Sequence, residues 1–128
     1  MKTGGCRFGT HRVIEPLGVL PQPARVLNND MSEIWDNELL LDVIRLNVDS
    51  ASFHQIRNKL VAQGHTDLEQ AFADHAMDLV NRTGKHKNED TGSGGMLIGR
   101  VAQIGPKFEM EDEIVVGDTI ASLVSLSL

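Results

Sequence analysis

The sequence has 128 residues, 41% hydrophobic and 23% charged, with a formal net charge of -6. That is one domain's length with enough apolar residues for a core. The acidic balance argues against nucleic acid or an anionic membrane as partner, and no apolar run approaches the roughly 20 residues of a membrane span. Aromatic residues make up only 4%, with no Tyr, so the core must come from Leu, Ile, Val, Met and Ala.

The first 30 residues are rich in Gly, Pro and Asn. Pro16, Gly18, Pro21 and Pro23 forbid a long helix, and Asn28-Asn29-Asp30 reads as a turn. A loop-rich entry with a short strand near Arg12–Glu15 is expected. No apolar signal segment follows Met1, and Cys6 has no internal partner, which together point to the cytoplasm.

Residues 38–48 are the best strand candidate. Leu39, Leu41 and Val43 fall on one face. Leu40, Asp42, Ile44, Leu46 and Val48 fall on the other, so both faces are partly apolar and a place inside a sheet is expected. Two helices follow. Phe53, Ile56 and Leu60 share a face over 52–63, with Gly64 as a stop. Leu68, Phe72, Ala76, Leu79 and Val80 share one over 67–82, where Thr66 and Glu69 form a capping-box pattern and Gly84 is the stop.

Residues 85–95 are polar and Gly-rich and read as a loop. Strands are expected at 96–104, broken by Gly105-Pro106, at 112–116, and at 119–126 after a Gly117-Asp118 turn. The apolar alternation runs to Leu128, so the natural protein is expected to continue beyond it.

Candidate chemistry lies in three places. Asp49, Ser50 and Ser52, at a strand end beside a helix start, suit an amine or a ribose, or simply cap the helix. Lys85-His86-Lys87-Asn88 offers a titratable imidazole among cations, or a solvated cluster at a helix C-terminus. Thr91-Gly92-Ser93-Gly94-Gly95 is a phosphate cradle or a flexible connection, and it matches no nucleotide-binding fingerprint. His11, His54, His65, His75 and His86 show no metal-ligand spacing and there is no Cys-x-x-Cys, so no metal is expected.

Glu38–Val48 and the run Gly99-x-Val101, Gly105, Gly117-Asp118-x-Ile120 resemble the GroES-like domain of medium-chain dehydrogenases. Gly9–Pro16, Gly18–Pro23, Leu46–Phe53, Gly84-Lys85-His86, Thr91–Gly99 and Leu123–Leu128 extend the resemblance over nearly the whole chain, to the L-erythro-3,5-diaminohexanoate dehydrogenase family. The resemblance implies a mainly β, partly open GroES-like barrel spanning 1–128, with a helical insertion at about 52–84 (an α+β fold). It implies the substrate-side domain of an NAD-dependent oxidoreductase of lysine fermentation. That enzyme deaminates the diamino acid to 5-amino-3-oxohexanoate and ammonia and is expected to be a homo-oligomer.

Where zinc-dependent relatives place a cysteine ligand, this chain has Asp49, and where they place the His-Glu of Gly-His-Glu it has Gly95-Met96. A metal-free site is therefore expected. Asp49 would hold the amine and His86 would carry the proton, with Ser50, Ser52, Asn88, Thr91 and Ser93 as binding residues. NAD would sit on a Rossmann half that these 128 residues do not contain, so the fragment alone should not turn over. The competing readings are a non-catalytic GroES-like binding or assembly module, and another metal-free medium-chain reductase.

Overall fold

The computed structural model describes residues 1–90, 92, 94–110 and 113–123. Two antiparallel sheets and a helical hairpin make up the fold, as the mainly β class with inserted helices requires. Strands β1 (Val13–Glu15) and β2 (Val26–Leu27) form a two-stranded ribbon. Strands β3 (Leu39–Val48), β4 (Gly95–Ile104) and β5 (Thr119–Ser122) form a second sheet in that order. Among the described residues neither sheet closes on itself. Helices α1 (Ser50–Ala62) and α2 (Leu68–Thr83) lie in the connection from β3 to β4.

The position of β3 corrects one expectation. β4 takes the centre, and among the described residues β3 pairs with β4 alone. β3 also carries a bulge. Val43 faces Gly99 and Arg45 faces Ile98, which leaves Ile44 as an extra residue. It shifts the alternation by one, so Leu41, Val43, Leu46 and Val48 are half-buried while Asp42, Ile44, Arg45 and Asn47 are exposed. Beyond Leu41, a strand that reads as apolar on both sides buries one side only. In β4 the buried residues are Leu97, Gly99 and Val101.

Both helices start on an aspartate. Asp49 caps α1 and accepts from the Ser52 amide at 2.9 Å. Asp67, rather than Thr66, caps α2 and accepts from the Gln70 amide at 3.1 Å. Gly84 ends α2 in the left-handed region at φ 77. A side chain there would be strained and would also collide with the Leu27 carbonyl. Ile56, Leu60 and Ala71 form the hairpin's core with Leu68 and Phe72 against them, and Val13, Ala24 and Leu27 form a second cluster under Val19.

β4 ends at Ile104, before Gly105-Pro106, and β5 opens after Gly117-Asp118. The expected strand at 112–116 is not found over 113–116. There the chain turns: the Val115 amide donates to the Asp118 carboxylate at 3.0 Å and the Asp118 amide returns to the Val115 carbonyl at 3.1 Å. Residues 111, 112 and 124–128, where parts of the expected strands fall, lie outside the described residues.

The N-terminal segment is tied down by charge. Glu38 accepts from Arg12 Nε at 2.7 Å and Nη2 at 2.6 Å, from His11 Nε2 at 2.8 Å and from the Trp35 amide at 2.9 Å. Burial alone would raise this carboxyl. Arg12, the amide and His11 overcome it and hold the pKa near 2. The Cys6 amide donates to His11 Nδ1 at 2.9 Å, which leaves Nε2 to carry the proton toward Glu38.

Candidate functional site

The segment that leaves α2 is where the structure departs most from the expectation of a solvated loop. Lys85 and His86 are each 2% exposed and Asn88 is 5% exposed. Gly84 sets this course by packing its α-carbon against the Leu27 backbone, which turns the chain inward beneath β2. Lys85 then spans 64 positions of sequence: its Nζ donates to the Pro21 carbonyl at 2.6 Å and the Gln22 carbonyl at 3.0 Å. Lys87 Nζ adds a contact to Gln22 at 3.3 Å. Burial, and then the charge of Lys87, push the Lys85 pKa down to about 8.

His86 sits next along this buried run. Among the described residues neither of its ring nitrogens has a hydrogen-bond partner. Burial pushes its pKa below the ordinary imidazole value, His75 adds to the shift, and the Asp49 carboxylate opposes it. The ring is therefore neutral at pH 7, with one nitrogen able to accept a proton. Leaving such a group buried without partners is costly, and a bound ligand is one way to satisfy it.

Asp49 lies where β3 ends and α1 begins. One of its oxygens is engaged in the cap, as the structural reading of this residue expects, and the side chain is half-buried. Its charge reaches His86. Ser52, on the first turn of α1, is fully buried, while Ser50 is exposed. Asn88 is held from two sides: its Nδ2 donates to Gln55 Oε1 at 2.8 Å and its Oδ1 accepts from the Asp90 amide at 2.9 Å. Gln55 Nε2 also donates to Asp90 at 3.2 Å, so α1 and the 86–90 segment are stitched together.

Of the residues singled out from sequence, the fold thus links Asp49 with Ser52 and with His86, and ties Asn88 to the same helix. Ser50 opens that helix at the surface. Thr91 and Ser93 lie outside the described residues. Sequence reasoning missed Gln55, an ordinary polar position on an amphipathic helix, and the burial of Lys85, which after a helix-ending glycine reads as a complement to the helix dipole. A crevice of about 20 Å³ between Gln55, His75, Asn88 and Asp90 has room for little more than one water. His65 is exposed and His75 half-buried, and among the described residues no three His, Cys, Asp or Glu side chains gather as metal ligands. Among the described residues no helix is long and apolar enough to cross a membrane.

Known proteins are similar to this sequence. Residues 11–128 match the family model described as the L-erythro-3,5-diaminohexanoate dehydrogenase N-terminal domain. A protein of Fusobacterium nucleatum subsp. nucleatum named L-erythro-3,5-diaminohexanoate dehydrogenase is 56% identical over 124 residues. One of the same name from Acetoanaerobium sticklandii is 52% identical over 124 residues. Each comparison covers 97% of this chain and 34% of the relative, so the chain spans about a third of their length.

Proposed function

Because the chain belongs to the L-erythro-3,5-diaminohexanoate dehydrogenase N-terminal domain family, we propose that it is the substrate-side domain of an NAD-dependent oxidoreductase. The longer protein would convert L-erythro-3,5-diaminohexanoate, water and NAD to 5-amino-3-oxohexanoate, ammonia and NADH, in the cytoplasm of a lysine-fermenting cell and as a homo-oligomer. The observation that carries this reading is identity of 56% and 52% across 97% of the chain to two proteins named for that activity.

The residues here do not fit the dinucleotide. Both long helices begin on a carboxylate, Asp49 or Asp67, which repels a pyrophosphate from the N-terminus where one would bind. No Gly-x-Gly-x-x-Gly occurs in the sequence. In this proposal NAD, the oxidant, sits on the remainder of the longer protein.

What this chain supplies is a grip on nitrogen and a place for a proton. The substrate amine arrives as an ammonium, and its carbon cannot release hydride until the nitrogen is neutral. Asp49 attracts the ammonium by charge. His86, neutral at pH 7, accepts the proton that the nitrogen loses. Once it has passed that proton to solvent, the same base would take a proton from the water that adds to the iminium carbon and return it to the nitrogen, which leaves as ammonia. Ser50, Ser52, Asn88, Thr91 and Ser93 are proposed to orient the substrate's polar groups.

The test is a product balance on the full-length protein. With L-erythro-3,5-diaminohexanoate and NAD it should yield NADH and ammonia in equal amounts. The corresponding 3-hydroxy acid should give no NADH. Turnover of the hydroxy acid and not of the amine would assign the chain to an alcohol dehydrogenase reaction instead.

A further inference from the structure

Away from the His86 segment, an apolar cleft of about 430 Å³ opens along the helical hairpin. Phe53 and Leu60 line it from α1, and Leu68 and Phe72 from α2. Phe53 stays 44% exposed even though its ring lies 5.3 Å from that of Phe72. Two charges border this surface, Arg57 on the first helix and Glu69 on the second. Both are exposed, and among the described residues neither makes an ion pair or a side-chain hydrogen bond.

The geometry points to a second copy of this chain as what covers the cleft, packed hairpin against hairpin about a two-fold axis so that Arg57 of each copy meets Glu69 of the other. An isologous interface needs a surface complementary to itself. One cation and one anion on different helices of the same apolar patch meet that condition, because a two-fold rotation exchanges them. A partner of a single sign would leave one of the two facing its like. The apolar lining supplies the area that association removes from water, and the paired charges set the register. This assigns a surface to the homo-oligomer proposed above, and it is read separately from turnover, so either idea can fail alone.

Charge reversal and mixing of the full-length protein test it by sedimentation. Wild type should self-associate at concentrations on the order of tens of micromolar or below. Arg57→Glu sets Glu against Glu twice per dimer and should weaken association about tenfold or more, and Glu69→Arg should do the same with like cations. An equal mixture of the two variants pairs every Glu with an Arg and should associate like wild type. Should either reversal cost helix content by circular dichroism, Arg57→Gln and Glu69→Gln make the same comparison, each weakening association less. Three results would overturn the inference: a wild type that stays monomeric, association indifferent to the substitutions, or a mixture no better than its components. The last would show that Arg57 and Glu69 do not meet across two copies.

Discussion

At the scale of single residues, titratable groups held in the fold make stability depend on acid. His86 and His75 both have pKa values below the ordinary 6.5. An unfolded chain takes up protons near that value while the folded one resists, so stability falls as pH drops below about 6.5. Glu38 acts in a lower window. Its pKa is near 2 when folded against 4.5 ordinarily, so its contribution is present above 4.5 and is lost as pH falls toward 2. That contribution is on the order of 3 kcal/mol. Urea midpoints measured from pH 7 to 3 should show both stages, and Glu38→Gln should remove most of the second. An unchanged acid limb in that variant would place the sensitivity elsewhere. Asp49 allows a cleaner separation of roles, because Asn caps a helix about as well as Asp but carries no charge. Asp49→Asn should leave the melting temperature within a few degrees and lower kcat/KM of the full-length protein more than about tenfold. Equal kcat/KM would leave Asp49 as a cap and nothing more.

At the scale of elements, the sequence is most readable where a backbone rule has one answer. Gly84, Gly105-Pro106 and Gly117-Asp118 each end or start an element where the residue chemistry demands it. Gly84 carries the sharpest consequence: its φ of 77 and its contact with the Leu27 carbonyl mean that Gly84→Ala adds strain and a backbone collision together. That substitution should cost on the order of 2–4 kcal/mol and, by moving the start of the 85–88 run, should depress activity along with stability. A variant that melts like wild type would show that the close approach relaxes freely. Less readable is any feature decided by a neighbour. The Ile44 bulge depends on register against β4, and without it β3 reads as a two-faced interior strand. Asp67 and Thr66 are both good caps, and the approach of the chain chooses between them. Val115 and Val116 have strand propensity, but the Asp118 side chain closes them into a turn.

At the scale of the whole molecule, the α+β class and the helical insertion were legible from periodicity, and the family from motif order. The candidate residues stand out in composition, but their burial does not. A Lys-His-Lys-Asn run after a helix reads as solvated, because no local signal announces that carbonyls 64 positions earlier in the chain receive the lysine. Burial is what changes the chemistry: it holds the His86 ring neutral within reach of the Asp49 charge, and among the described residues neither ring nitrogen has a hydrogen-bond partner. The most direct measurement is the pH dependence of kcat/KM for the full-length protein and its His86→Gln variant on L-erythro-3,5-diaminohexanoate. Wild type should lose activity in acid with an apparent pKa below 6.5, and the variant should fall by about a hundredfold or more with that acid limb abolished. A variant that keeps wild-type kcat/KM and the same limb would contradict the account.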